Sequence, residues 1–270
     1  MAMKLWHQST IELGANDHYS GALRRRAKLV LGEAATIETF GLPPGTYHGR
    51  PPSKACGNAF IYHRILDRII DQAFEAEQQG YDGFVIGSFS EPFLTEIRSA
   101  VNLPVTSVLE TSLLVGCSLG GKLAFVTTSP NVDGMVKKGV ALHAMGTRVS
   151  DVFSLEPAFA GPPLHGAFAD PAPMLESFAR AADRALANGA DVLIPAEGIL
   201  AIILANEGVT WCKGAPVMDV FGVTWSYALM LARLRSCSGL KVSRRGRYAQ
   251  EDPELLMLMQ HRAGPSSGAT

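Results

Sequence analysis

The sequence predicts an α/β fold: two similar Rossmann-like lobes with mainly parallel sheets and an active site in the cleft between them. Three observations predict it. Short β-branched apolar runs alternate with longer helical patterns, as in parallel sheets covered by helices. Two runs, GYDGFVIGS and GADVLIPAEG, each follow a long helical pattern and end in a polar turn, which indicates two related halves. The 270 residues are enough to bury a large core.

The strands are predicted from apolar runs bounded by turn residues. They are residues 4–9, 35–40, 83–88, 104–108, 122–128, 147–153, 191–196 and 215–222. Amphipathic spacing predicts helices over 59–80, 173–189 and 226–239, and Pro92 is expected to open a further helix after the strand at 83–88.

This order of elements predicts how the lobes divide the chain. We expect residues 1–107 plus 218–262 in the first lobe and 108–217 in the second, with 263–270 a disordered tail. The Pro- and Gly-rich stretch 41–58 is predicted to be a loop, either a lid over the site or a surface loop without a role.

Composition excludes several classes of function. A net charge of -1 gives no electrostatic case for nucleic acid or for an anionic membrane surface, and Arg24, Arg25 and Arg26 are interpreted as a solvated helix face. No run approaches the roughly 18 apolar residues that cross a bilayer. The cysteines lack metal-binding spacing, so no metal site is expected. We expect a soluble cytoplasmic protein with reduced thiols.

Ligands of parallel α/β sheets bind beyond the carboxyl ends of the strands, which directs attention to four predicted strand ends. Each of these strand ends carries candidate site residues that are polar or face the predicted cleft. They are Gln8 and Ser9; Ser88, Phe89, Ser90 and Glu91; Thr127, Thr128 and Ser129; and Glu197 with Gly198. Hydroxyls and free backbone N–H groups at 127–129 suit a carboxylate or imide. Each candidate also has a structural alternative: serine and acidic residues cap helices, and Glu91 before Pro92 is a favourable helix start.

Four segments in this order resemble the aspartate/glutamate/hydantoin racemase superfamily, most closely its hydantoin racemase-like branch. They are FVIGSFSEPFL (84–94), LAFVTTSP (123–130), NGADVLIPAEG (188–198) and GAPVMDVFGVTWSYALMLARL (214–234). The resemblance implies two α/β lobes with the active site between them, no cofactor, a small-molecule substrate and a homo-oligomer. It also implies two catalytic cysteines, one at a strand end in each lobe.

The sequence departs from the family at both cysteine positions. The first falls on Ser88, and the second on Ala196 or Glu197, depending on the placement of a one-residue gap. A serine hydroxyl cannot remove a carbon-bound proton unaided, whereas a partly buried carboxylate can reach a useful pKa. We therefore expect Glu197 to be the acid/base and Ser88 to be a hydrogen-bonding group.

Three functions remain open at this point. The first is a cofactor-independent isomerase acting at the carbon next to a carbonyl of a small carboxylate, amide or cyclic ureide. The second is a decarboxylase-like lyase or a hydrolase on the same scaffold, since the family includes decarboxylases that protonate an enolate from one face. The third is a small-molecule binding protein that has lost the chemistry.

Overall fold

Two parallel sheets form the framework of the molecule, as predicted. The computed structural model describes residues 2–15, 17–52, 57–250 and 252–260. The first sheet has the strand order β2-β1-β3-β4, and the second has the order β6-β5-β7. The strands are β1 Met3–Gln8, β2 Ala35–Phe40, β3 Gly83–Ile86, β4 Val105–Ser107, β5 Leu123–Thr127, β6 Val149–Ser154 and β7 Val192–Pro195. A small antiparallel hairpin, β8 Trp211–Cys212 and β9 Ala215–Pro216, follows the second sheet.

Helices connect the strands and cover the sheets. They are α1 Asp17–Leu31, α2 Ala59–Leu66, α3 Arg68–Gln78, α4 Leu94–Ala100, α5 Val108–Gly116, α6 Pro130–Leu142, α7 Pro162–Gly166, α8 Ala172–Ala187, α9 Gly198–Asn206, α10 Val220–Ser238 and α11 Pro253–Gln260. Within the described part of the chain, none of these helices combines the length and apolar character needed to span a bilayer.

One apolar core is continuous between the two sheets. It contains Val85 of β3 together with Phe125 of β5 and Leu193 of β7. Phe89 follows β3 and meets Phe125 edge-on, with 6.3 Å between ring centroids. A smaller cluster around Trp6 lies on the other face of the first sheet. Because α10 packs against β1, β3 and β4, the chain returns to the first sheet after building the second. The predicted lobe boundaries stay predictions, and the predicted tail lies outside the described residues.

Two elements differ from their predictions. Residues 59–80 form two helices that meet at Asp67, where the amide of Ile70 bonds to the carbonyl of Asp67 with three-residue spacing. The predicted strand 215–222 was wrong beyond Val217, which still forms a parallel bridge with Leu193, since Asp219 caps α10 by accepting a hydrogen bond from the Gly222 amide. Its apolar residues are buried on a helix, and a short apolar run does not distinguish the two.

The described part of the predicted 41–58 loop is anchored beside the carboxyl end of β1. The Glu12 carboxylate accepts hydrogen bonds from the amides of Gly45 (3.1 Å) and Tyr47 (2.9 Å). The buried Tyr47 donates its hydroxyl proton to the Thr10 carbonyl at 2.5 Å. Residues 45–47 are thus held against the segment that follows the first central strand.

Arg26 ties three helices together, unlike the solvated face that the sequence predicted. Its Nε lies 2.9 Å from Asp219 Oδ2, and its Nη1 donates to the Ala205 carbonyl at 3.3 Å. Arg26 therefore joins α1 to the end of α9 and to the cap of α10. Arg24 and Arg25 are exposed.

We expect Arg26→Gln to lower the free energy of unfolding by about 1–3 kcal/mol, since it removes a charge-assisted hydrogen bond to a largely buried partner. The measurement is urea unfolding followed by circular dichroism. Arg25→Gln, at the exposed neighbouring position, is the matched control, and its effect should stay within about 0.5 kcal/mol. Equal losses in the two variants would contradict the role given to Arg26.

Candidate active site

Ser88 and Glu197 occupy equivalent positions in the two lobes. In the first sheet, Gln8 of β1 pairs with Ile86, and the amide of Gly87 donates to the Gln8 carbonyl at 2.8 Å. In the second sheet, Val126 of β5 pairs with Pro195 in the same way. There the amide of Ala196 donates to the Val126 carbonyl at 2.7 Å. Gly87 therefore corresponds to Ala196, and the next residues, Ser88 and Glu197, correspond to each other.

The turn after β3 is organised by its two serines. The hydroxyls of Ser88 and Ser90 lie 2.9 Å apart, and the Ser90 amide donates to Ser88 Oγ at 3.3 Å. The Glu91 amide closes the turn on the Ser88 carbonyl at 3.2 Å. Glu91 and Phe93 have φ angles of 45° and 58°, so α4 begins only at Leu94, two residues after the predicted start at Pro92. The described contacts of the Ser88 hydroxyl include no base, which favours a hydrogen-bonding role over a nucleophilic one.

Glu91 faces protein groups on both carboxylate oxygens. Oε1 accepts hydrogen bonds from the Ser107 hydroxyl and from the Glu110 amide (2.8 Å). Oε2 lies 2.6 Å from Nε2 of His143, the residue after α6. The side chain is 8% exposed. The structure thus places Glu91 as the anchor of the turn, and its predicted contact with substrate stays a prediction.

Glu197 caps α9 and is partly buried. Its Oε2 accepts hydrogen bonds from the amides of Ile199 and Leu200, both at 2.9 Å. Burial raises the pKa of the Glu197 carboxyl above its usual value, while the backbone donors oppose this shift. Glu197 therefore has both of the roles considered from the sequence. It caps the start of α9, and it places a carboxyl with a raised pKa at the end of a strand.

The hydroxyl groups at the end of β5 fall into two sets: those that are hydrogen-bonded within the protein and those that make no capping bond. Thr127 donates its hydroxyl proton to the Asp133 carboxylate, which also accepts from Ser154 at 2.8 Å. Ser129 precedes Pro130 at the start of α6, and its side chain makes no capping bond. Thr128 and Ser129 are buried, with 2% and 8% exposure.

The candidates at the end of β1 are also inside the protein. The Gln8 side chain accepts from Trp6 Nε1 at 2.9 Å and donates to the Ser9 carbonyl at 2.9 Å, so its amide is used within the lobe. The Ser9 hydroxyl accepts from the Ile11 amide at 3.4 Å. Phe89 is likewise 5% exposed, in the core shared by the two lobes.

An aromatic wall, formed by His7, Phe221 and Tyr19, connects the two turns and was missed from the sequence. The His7 ring lies under Gly87, because a β-carbon added there would be 2.4 Å from His7 Cε1 and Nε2. His7 meets Phe221 edge-on at 5.6 Å, and Phe221 lies 6.5 Å from Tyr19. The Tyr19 hydroxyl lies against Gly198, where an added β-carbon would be 2.5 Å away. Burial, and then the charge of Glu197, raise the pKa of Tyr19.

His7 is a neutral group inside this wall. It is fully buried, and this burial lowers its pKa to about 3. Trp225, which the sequence analysis favoured as a core residue, is fully buried and donates its indole N–H to His7 Nδ1 at 3.2 Å. The His7 proton is therefore assigned to Nε2, which has no hydrogen-bond partner among the described residues.

We expect His7 to destabilise the fold in acid. A histidine whose pKa is lowered on folding contributes its full stability above the unfolded pKa of about 6.5 and loses it as the pH falls toward 3. The loss should be on the order of 4 kcal/mol over that range. Imidazole ¹⁵N resonances recorded from pH 7 to 4.5 provide the measurement, with His7→Gln identifying the signal. A His7 resonance that titrates near pH 6.5 would contradict the assignment.

The described cysteines do not lie in either turn. Cys117 follows α5, Cys212 lies on β8, and Cys237 lies near the end of α10. Among the described residues no cluster of three histidine, cysteine or acidic side chains is arranged to hold a metal ion.

Comparisons with known proteins agree with this architecture. A family model described as Asp/Glu/Hydantoin racemase matches residues 14–206. Hydantoin racemase of Pseudomonas sp. (strain NS671) is 27% identical over 84 residues, which are 31% of this chain and 34% of that protein. An uncharacterized protein of Schizosaccharomyces pombe is 32% identical over 79 residues, which are 29% of this chain and 32% of that protein. The chain thus matches about a third of the length of these curated relatives.

Solved structures share the fold over almost the whole chain. Allantoin racemase from Pseudomonas fluorescens has a TM-score of 0.72 at 19% identity, covering 93% of this chain and 98% of its own. Allantoin racemase from Klebsiella pneumoniae has a TM-score of 0.71 at 17% identity, covering 92% and 93%. At these identities the similarity is one of fold.

Proposed function

The chain belongs to the Asp/Glu/hydantoin racemase family, and on that premise we propose that it is a cofactor-independent isomerase. It would act at the carbon next to a carbonyl in a small carboxylate, amide or cyclic ureide. The observation that carries the proposal is the equivalent placement of Ser88 and Glu197, each two residues beyond the end of a parallel strand of its lobe. The resemblance puts the family's catalytic pair in these two turns, the first member on Ser88 and the second on Ala196 or Glu197.

Glu197 is the acid/base in this proposal. Its carboxylate takes the proton from the substrate carbon, and the electron pair of the C–H bond moves onto the carbonyl oxygen to form an enolate. The resulting carboxyl returns a proton to the opposite face of the carbon after the planar enolate has turned over in the site, so that the configuration is inverted. A raised pKa suits this exchange, because the base is then stronger and the acid is still available near the working pH. The two capping bonds converge on Oε2, and we assign the proton transfer to Oε1.

Hydrogen-bond donors would hold the developing enolate. Ser88 offers a hydroxyl from the first lobe, and Ser129 offers one from the second, next to the N-terminus of α6. The partial positive charge of a helix N-terminus favours a carboxylate or imide oxygen there. Donors fixed before the reaction, at the place where negative charge develops, are often the largest catalytic contribution.

A decarboxylase-like lyase is the second candidate, and the asymmetry of the site favours it. Glu197 is ionisable, whereas the equivalent Ser88 bonds to the hydroxyl of Ser90. Loss of CO₂ from a malonate-type substrate leaves the electron pair of the broken C–C bond in an enolate. A single acid on one face is then enough to protonate the carbon. Two-base racemisation needs comparable groups on both faces.

Reaction in D₂O separates the candidates. The purified protein is incubated with 5-substituted hydantoins, 2-substituted carboxylates and 2-substituted malonates, and products are followed by proton NMR, mass spectrometry and CO₂ release. Exchange of the hydrogen on the carbon next to the carbonyl supports the isomerase, and CO₂ release supports the lyase. Ring opening would indicate a hydrolase. Ligand binding detected by calorimetry without any of these reactions would overturn both proposals in favour of a binding protein.

A further inference from the structure

The turn that carries Ser88 is joined to the second lobe by a side chain from the end of α6. His143 Nε2 lies 2.6 Å from Glu91 Oε2. The other oxygen of Glu91 is held by the Ser107 hydroxyl and by the Glu110 amide at the beginning of α5. Glu91 is therefore fixed from both sides, and the contact with His143 reaches it from the second lobe.

The charges around His143 alternate in sign. Its Nδ1 lies 3.9 Å from Glu110 Oε1, so the ring faces two carboxylates, those of Glu91 and Glu110. Arg98 of α4 pairs with both carboxylate oxygens of Glu110, and its Nη1 lies 2.9 Å from Oε1. The protonated ring of His143 completes a series of side chains with alternating charge, Glu91–His143–Glu110–Arg98. The hydrogen bond to Glu91 is the largest cause that raises the pKa of His143, with the charges of Glu91 and Glu110 adding to it. Burial and Arg98 oppose the shift.

The backbone of Glu91 transmits this contact to Ser88. Glu91 has a φ of 45°, in the left-handed region that non-glycine residues rarely adopt. Its amide also closes the turn on the Ser88 carbonyl at 3.2 Å. A residue held in this conformation needs contacts that fix it, and here the carboxylate supplies them.

We propose that His143 is a positioning residue for the reaction: its protonated imidazole holds Glu91 and thereby fixes the Ser88 turn relative to the second lobe. Its effect on turnover rests on the proposed function, while its effect on the turn does not. A histidine whose pKa is raised on folding provides its contact fully below the unfolded pKa of about 6.5 and loses it as the pH rises through the folded pKa. The Ser88 turn is thus fixed at pH values below the folded pKa of His143 and is loosened as the pH rises through it.

A measurement without substrate tests the effect on the turn. The variants are His143→Gln, which keeps an N–H donor but does not titrate, and Glu91→Gln, with His165→Gln as the control from an exposed position in α7. In the wild type, the backbone amide resonances of Ser88 and Ser90 should shift with pH at the same midpoint as the His143 imidazole. In His143→Gln this shift should vanish, and in Glu91→Gln the His143 midpoint should fall. Amide resonances of Ser88 and Ser90 that do not shift as His143 titrates would overturn the proposal.

Kinetics test the consequence for catalysis. We expect His143→Gln to lower kcat by about 10- to 100-fold with little change in KM, because a small displacement of a positioned group costs this much. The fall of kcat as the pH rises through the folded pKa of His143 should disappear in the same variant. The double variant with Glu91→Gln should be no slower than Glu91→Gln alone. Wild-type kcat with an unchanged alkaline limb in His143→Gln would overturn the role in catalysis. A wild type that turns over no substrate would instead refute the proposed function, and the amide titration would still decide the role of His143.

Discussion

Glu197→Gln is expected to lower the rate of proton exchange at the substrate carbon by roughly 10²–10⁴-fold, the usual contribution of a positioned acid/base. A glutamine oxygen can still accept the amides of Ile199 and Leu200, so the cap of α9 should persist. Substrate affinity, measured by calorimetry, should therefore change little. The rate is measured by loss of the proton NMR signal in D₂O. Near-wild-type exchange in this variant would remove Glu197 from the mechanism.

We expect that Glu197→Gln does not lower the free energy of unfolding at pH 7, although it lowers activity. Because the pKa of Glu197 is raised on folding, its ionisation destabilises the folded state as the pH rises above the unfolded value, and the effect is absent below that value. Glu197→Gln should thus be at least as stable as the wild type at pH 7, with the difference vanishing near pH 4. Glu207→Gln, at the exposed end of the same helix, is the charge-matched control and should retain activity. A uniform loss of stability at all pH values would indicate a damaged cap instead.

Gly87→Ala is expected to lower the free energy of unfolding by about 1–3 kcal/mol, as overpacking a filled site does. The added methyl group would lie 2.4 Å from two atoms of His7 and 3.1 Å from the Gln8 carbonyl oxygen. The ring cannot retreat easily, because Trp225 donates to it and Phe221 packs against it. The turn should move instead, and turnover should fall by roughly 10- to 100-fold. Urea unfolding and exchange kinetics measure the two effects.

A glycine in open space is the control for this substitution. Gly134, within α6, has no atom within 4 Å of an added β-carbon, so Gly134→Ala should stabilise the protein by about 0.5–1 kcal/mol through helix propensity. Combining Gly87→Ala with His7→Ala should cost less than the sum of the single changes, because the second substitution removes the atoms that clash. Additive losses would show that the methyl group does not meet His7.

The sequence predicted those features that depend on short stretches of chain. The β-branched runs around Val85 and Ile194 identified the strands β3 and β7, and the polar residues after them located Ser88 and Glu197. The boundary at Asp219 was missed because the apolar residues on either side fit a strand or a helix equally well. The residues next to Val85 and Ile194 in the sequence therefore indicated their secondary structure, whereas those next to Asp219 did not.

Contacts between distant segments could not be predicted in this way. His143 lies 52 residues from Glu91, and Trp225 lies 218 residues from His7, so their pairing depends on how α6 and α10 pack. A histidine that is buried in the fold cannot be distinguished in the sequence from an exposed one. His7 lies inside the run that predicted β1, and a histidine within such a run was the signal for it.

The continuous core between the two sheets bears on how a substrate enters. Phe89 and Phe125 belong to one apolar cluster, and α5 packs against both α6 and α10. Rotating one lobe away from the other would expose this interior to water, at a cost of about 25 cal/mol for each Å² uncovered. Wide hinge opening is therefore disfavoured. Admission of a small molecule falls instead to short segments at the edge of the cleft, whose displacement leaves the core between the two sheets packed. Small-angle scattering with and without ligand should accordingly give the same radius of gyration.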